Sequence, residues 1–440
     1  MSGRRSFEAG GGASVGGDPH RPPLAASLVS LVRRVDAKVT RKRVQVWALA
    51  SATVFVAALV TAWLTIPELA AFPDFAARWS AGRLVVTGQG SALYDLARQA
   101  EVQRNGTGTD QFSWFVSPPF VAVLFAPLSL LPYWLACLVW LAISTSALWL
   151  SVRLLRPWAP AVLADNWRTT TLVIWTSYPV LQVLFVGQDT TLVLLAVAAG
   201  VHLLSRDRAY QAGACLGLGL VKPHLIFLVP VLLVLRRQPR ALAGFIAVAV
   251  VFTVVSLVMM GPGGISRWLA VVSSGDYSKA VQQGFAWKGV NVSALLTGLA
   301  PADFGRWWQL LATLTGLAAC VPALRAVTIR RDASQQFAWA LVLATTVIAA
   351  PHVLVYDLVL IIPVVFALAW TGWDAVTRLT LVGMTAALWL AAPIQLLLAG
   401  SSWPVTSLGA PWAALGAFLL WYRLLRRPSD AALPPERGSR

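Results

Sequence analysis

Apolar runs of membrane-spanning length recur along this chain of 440 residues, and no other feature restricts its fold so strongly. A bilayer core takes about 20 apolar residues as one helical crossing, because backbone N–H and C=O groups find no water there and must bond within the helix. Such runs extend over Val44 to Ile66, Trp134 to Leu155, Thr169 to Val186, Thr190 to Leu204, Ala212 to Val221, Leu225 to Leu235 and Ala241 to Met260. They continue over Trp307 to Val327, Phe337 to Ala350, Leu354 to Trp370, Leu379 to Leu398 and Val405 to Tyr422, which makes twelve candidate crossings. The two that flank Lys222 are too short for a simple span and read either as half-helices or as runs extended by neighbouring polar residues. Pro118 to Pro132 is apolar but holds four prolines, so it reads as an interfacial or re-entrant piece. The predicted fold is an all-α polytopic membrane bundle. With 58% hydrophobic and only 12% charged residues, the chain has too little polar surface for a water-facing globule of its size.

The scarce charges set an orientation. A basic tail, residues 1–43, is rich in Gly, Ser, Pro and Arg and reads as disordered and cytoplasmic, as does a second tail over 426–440. Twelve crossings return the carboxyl terminus to the same side. On that topology 26 of the 35 Lys and Arg residues fall inside and nine outside, while the acidic residues divide nine and nine. The net charge of +17 therefore follows the positive-inside rule, and nucleic acid is not needed to account for it. Residues 44–425 form the membrane domain, with long outer loops over 67–118 and 261–306. In the first, Phe75 to Val86 and Ser91 to Arg104 have helical character and are expected to lie along the outer membrane surface.

Polar residues close to the predicted membrane boundary gather on the outer side. Asp74 is either the cap of the short helix that follows it or a general base that takes a proton from a hydroxyl. Lys222, in Val221-Lys222-Pro223-His224, is a cation inside apolar sequence beside a helix-breaking proline, which suits an anion such as phosphate if the ammonium does not snorkel. His352 precedes Tyr356 and Asp357 at a helix start, and Gln188 and Asp189 occupy a turn after Gly187 with an evident structural role as turn and cap residues. Cys137, Cys215 and Cys320 lie in apolar runs without metal-ligand spacing, and no phosphate loop, HExxH, nucleophile elbow or DxD carboxylate pair is present. No metal and no cofactor is expected. Trp79, Trp114, Trp287 and Trp403 suit either sugar stacking or an interfacial aromatic belt.

The order of these pieces resembles glycosyltransferase family 87. The elements are Pro73-Asp74-Phe75, Gly82, Leu93-Tyr94-Asp95, Ser117-Pro118-Pro119-Phe120, Phe125-Ala126-Pro127-Leu128, Val186-Gly187-Gln188-Asp189, Ala212-Gly213, Gly217-Leu218-Gly219, Lys222-Pro223 and Pro351-His352 with Tyr356-Asp357. The resemblance extends over about residues 45 to 425. It implies a GT-C bundle acting on the extracytoplasmic face of a bacterial plasma membrane, with a polyprenyl-phosphate sugar, such as mannose, as donor and a cell-envelope glycolipid or glycan as acceptor. It maps Asp74 onto the catalytic base and Lys222 and His352 onto the donor phosphate. Tyr94, Gln188, His224, Tyr356 and Asp357 are weaker substrate-binding candidates. A polytopic transporter or lipid flippase is the competing reading, although no repeat relates the two halves.

Overall fold

The computed structural model describes residues 23–65, 72–299, 305–330, 334–370, 373–397 and 411–426. Most of the amino-terminal tail, all of 427–440, Ile66 to Ala71 and Ser401 to Ala410 with Trp403 lie outside the described residues. Among the described residues the chain is helical, with one isolated bridge, Gly289 to Leu354, in place of any sheet.

Six helices lead into the bundle: α1 (Pro23–Asp36), α2 (Arg41–Thr65), α3 (Pro73–Val86), α4 (Leu96–Thr107), α5 (Pro119–Ser129) and α6 (Tyr133–Leu155). The first corrects the expectation of a disordered tail over 1–43, because residues 23–36 are helical. That stretch sets Leu24, Leu28, Leu31 and Val35 at helical spacing, and the Asp36 carboxylate pairs with Arg378 on the helix Ala375–Leu397. Helices α3 and α4 lie between α2 and the proline-bearing stretch. The proline-bearing stretch forms α5, whose 11 residues are too few to cross a bilayer.

Four described helices, Arg41–Ala62, Tyr133–Trp158, Pro239–Met260 and Leu310–Ile329, are long and apolar enough to span, and the bent pair Trp167–Thr176 and Tyr178–Val186 raises the number to five. The protein is thus an all-α membrane protein. The shortfall from twelve has a physical origin: many of the apolar runs are interrupted, and the pieces are individually shorter than a bilayer. Around Lys222 the helix Ala209–Leu218 gives way to two 3-10 turns, Gly219–Val221 and Pro223–Leu225, before Val229–Leu235 resumes.

Close packing locks these pieces together. A Cβ on Gly213 would sit 1.7 Å from the Ala241 carbonyl oxygen, and one on Gly244 would sit 2.1 Å from that of Tyr210, so Ala209–Leu218 and Pro239–Met260 touch backbone to backbone. Small residues at helix contacts are how apolar helices gain packing energy where water supplies no hydrophobic drive. The helix Gln335–Ala349 is buried along nearly its whole length, from Phe337 to Ile348. Ser334 caps its start by accepting from the Phe337 amide at 3.2 Å. Ala350 precedes Pro351 and takes an extended backbone, which ends the helix.

Candidate active site

Three helix interruptions meet α3, and together they build one polar centre. The first follows Tyr178–Val186, which ends at Gly187 in the left-handed region (φ 73°). A Cβ there would lie 2.7 Å from the Phe75 Cβ, so glycine is required both for the turn and for the approach of α3. The turn presents Gln188 and Asp189. The second interruption presents Lys222, whose backbone is forced out of the helical region by Pro223. The third runs from Ala350 to Leu354 and carries His352 into the 3-10 helix Val355–Ile361, which supplies Tyr356 and Asp357.

Helix α3 contributes Asp74 and Arg78, four residues apart and therefore on one face. Asp74 does not cap the helix: Phe72 holds the cap position, and the carboxylate bonds side chains from other segments. Its Oδ2 accepts from Gln188 Nε2 at 2.8 Å and its Oδ1 from Ser113 Oγ at 3.4 Å. Ser113 belongs to an extended segment strapped onto α4. Gln103 accepts from the Ser113 amide at 2.9 Å and donates to its carbonyl at 2.7 Å, and Gln99 accepts from the Phe115 amide at 2.9 Å. Both glutamines are fully buried.

Arg78 fixes which way the Gln188 amide points. Its buried guanidinium donates to Gln188 Oε1 at 3.2 Å and to Asp189 Oδ2 at 3.3 Å. With its oxygen so occupied, Gln188 turns its NH2 toward Asp74 and toward the Tyr356 hydroxyl at 3.0 Å. Lys222 is equally committed. Its ammonium donates to Thr190 Oγ1 at 2.7 Å and to Asp357 Oδ1 at 3.0 Å, lies 3.4 Å from Asp189 Oδ1, and sits 4.8 Å over the Tyr356 ring. Thr190 in turn donates to Asp357 at 2.6 Å, and the Leu354 amide donates to the other Asp357 oxygen at 3.1 Å.

Charge in this centre is unevenly shared. Asp189 and Asp357, both almost inaccessible, are neutralised by Arg78 and Lys222. Asp74 is half-buried, and among the described residues only neutral groups hydrogen-bond its carboxylate. It is therefore the carboxylate left with proton-accepting capacity and access. His352 and His224 face each other with ring centroids 6.5 Å apart, and the buried Nε2 of His224 has no partner among the described residues. Burial pulls the His352 imidazole below its ordinary pKa of 6.5, against the attraction of Asp357, so it is neutral at pH 7.

The segment that follows the helix Pro239–Met260 closes over this centre. Val290 donates its amide to the Val353 carbonyl at 2.9 Å, Asn291 Nδ2 donates to the Ala350 carbonyl at 2.6 Å, and Trp268 Nε1 donates to the Val116 carbonyl at 2.9 Å. Lys288 lies on this segment, half-buried, and burial lowers its pKa from 10.5 while the charge of Asp74 opposes the shift.

Asp74, Gln188, Lys222, Tyr356 and Asp357 thus come together in one bonded network, with His352 and His224 beside it. Tyr94 does not join them: its hydroxyl donates to the Ser117 carbonyl at 2.7 Å and its ring stacks on Phe115, which places it in the support of the Ser113 segment. Trp79 is also spoken for, buried with its indole N–H on the Leu131 carbonyl. Sequence reading passed over Arg78, Ser113, Thr190 and Lys288 and treated Asp189 as a turn residue. Only Arg78 had a usable signal, its four-residue spacing from Asp74 on a predicted helix.

Fold and site together define an integral-membrane protein built around a buried ion-pair network, beside which lies one half-buried carboxylate, Asp74, that is hydrogen-bonded by neutral groups among the described residues. The chain belongs to glycosyltransferase family 87, whose family model matches residues 115–355, and it is accordingly a glycosyltransferase. No curated protein and no solved structure matches it. The matched span contains Gln188, Asp189, Lys222, Lys288 and His352, whereas Asp74, Arg78 and Ser113 precede it and Tyr356 and Asp357 follow it directly.

Proposed function

We propose that the protein transfers a hexose, mannose in our reading, from a polyprenyl-phosphate sugar to a hydroxyl of a cell-envelope glycolipid or glycan on the extracytoplasmic face of a bacterial plasma membrane. The observation that carries this is Asp74: half-buried, its carboxylate bonded among the described residues by Gln188 and Ser113 alone, and set beside a compensated network that holds it in place. The acceptor O–H gives its proton to the Asp74 carboxylate as its oxygen attacks the anomeric carbon. The bond from that carbon to the phosphate oxygen breaks, its electron pair leaves with the lipid phosphate, and a single displacement inverts the centre. In this reading His352 bonds the donor phosphate, and Lys222, set between Asp189 and Asp357, holds the network beside it in place.

Purified protein in nanodiscs, supplied with radiolabelled polyprenyl-phosphate mannose and candidate acceptor lipids, tests the reading. Asp74→Asn is expected to lower turnover by about a hundredfold to ten-thousandfold with little change in thermal stability. Normal transfer by that variant refutes the role of Asp74, and transfer from no polyprenyl-phosphate donor refutes the donor class. Twelve crossings with both termini inside remain our topology. A cysteine beside Asp74 is then labelled by an impermeant reagent from outside, whereas one beside Arg237 is not.

A further inference from the structure

We propose that Lys288, from the second outer loop, is the cation that meets the phosphate of the lipid donor, and that Lys222 instead positions the carboxylate network. The inference rests on the donor reading above. It begins from charge. The two cations of the buried centre each already serve carboxylates: Arg78 bonds Asp189, and Lys222 lies within ion-pair distance of both Asp189 and Asp357. A phosphate that drew Lys222 away would leave Asp357, a carboxylate that water barely reaches, without its cation.

Lys288 has no such commitment. No carboxylate among the described residues pairs with its ammonium, which rests 4.8 Å over the Trp287 ring and 5.2 Å over the Phe285 ring. The backbone beside it is fastened to the segment that carries His352, through the Gly289 to Leu354 bridge and the Val290 to Val353 hydrogen bond. Val353, which accepts that bond, directly follows His352, so Lys288 and His352 lie on adjoining stretches of backbone, and the charge of Asp74 acts on both. Close by, the buried Nε2 of His224 stands ready to bond an oxygen. A half-buried ammonium, a neutral imidazole and an unpartnered ring nitrogen form a suitable receiver for a phosphate. The need is greatest at the transition state: the donor phosphodiester has one negative charge, and breaking its bond to the anomeric carbon leaves a phosphate monoester with a second. An ammonium aimed at that oxygen stabilises the leaving group more than the donor.

The probe is the product side of the reaction, a short-chain polyprenyl phosphate, bound to the detergent-solubilised full chain and followed by its effect on thermal unfolding and by a titrated fluorescence change. Lys288→Met is expected to weaken its binding about tenfold to a hundredfold, while the uncharged polyprenol binds both proteins alike. Lys288→Arg restores most of the affinity, and Lys279→Ala, an exposed lysine of the same loop, leaves it unchanged. Equal affinity of wild type and Lys288→Met for the phosphate overturns the role of Lys288 and leaves the donor reading standing. Failure of the wild-type protein to bind any polyprenyl phosphate overturns the donor reading, and this assignment with it. Unfolding midpoints without ligand show whether Lys288→Met is folded; if it is not, the comparison of wild type with Lys288→Arg and Lys288→Gln decides, and a glutamine variant with wild-type affinity refutes the proposal.

Discussion

Replacing Lys222 by methionine separates a structural cation from a substrate-binding one. The side chain keeps its length and apolar stem but loses the charge that lies 3.0 Å from Asp357 and 3.4 Å from Asp189. At an effective dielectric constant of about 20, each of these contacts is an attraction of about 5 kcal/mol. Part of that is offset, because the ammonium no longer has to be desolvated. Arg78 still serves Asp189, so the group left exposed to the loss is Asp357, which retains only the Thr190 hydroxyl and the Leu354 amide. Removing one partner of a buried ion pair costs about 3–5 kcal/mol, and that is the expected loss. Thermal unfolding in detergent, followed by tryptophan fluorescence, reads it as a midpoint lowered by many degrees. Asp357→Asn on its own leaves an ammonium with surplus positive charge. Combined with Lys222→Met it removes both halves of the interaction, so the double variant is expected to lose clearly less than the sum of the single ones. A Lys222→Met protein with an unchanged midpoint that has lost polyprenyl-phosphate binding would refute this reasoning, because it would make Lys222 a free phosphate cation after all.

Other expectations follow from the same geometry. Gly187→Ala must hold a left-handed φ of 73° and place a Cβ 2.7 Å from that of Phe75, so it is expected to cost about 1–3 kcal/mol in backbone strain alone and to displace Gln188 from Asp74. Its unfolding midpoint and turnover should fall together, and a fully active, fully stable variant would show the contact to be slack. Thr190→Val removes a hydroxyl that donates to Asp357 and accepts from Lys222, and a loss of about 1–3 kcal/mol is expected in the same unfolding assay. The pH dependence of polyprenyl-phosphate binding reports Lys288. Burial disfavours its charged form, so binding is complete below the lowered pKa and declines as pH rises through it, at values below the ordinary 10.5. Asp74 opposes that shift, and His352, already neutral at pH 7, contributes no decline on the alkaline side. In Lys288→Arg the alkaline limb should disappear, which an affinity series from pH 7 upward would check.

Much of this protein is readable in its residues because the bilayer leaves so few options. Apolar runs forced helices, since unpaired backbone groups cannot face lipid. Local chemistry also marked the breaks in advance: Gly187, Pro223 and Pro351 each stop a helix for reasons internal to their own neighbourhood. What those breaks do was beyond local reading. Arg78 and Asp189 are 111 positions apart and Lys222 and Asp357 are 135, so their pairing depends on how helices pack, and packing follows shape across the whole bundle. For the same reason Lys222 read as an isolated charge looking for an anion, when two carboxylates distant in sequence already surround it. Lys288 was silent, because nothing beside it in sequence betrays the loop that folds back onto His352. The sequence by itself determined a helical membrane enzyme with breaks at defined places and a candidate base at Asp74. Only the tertiary structure decided which charges cancel one another, because those pairings join residues more than a hundred positions apart.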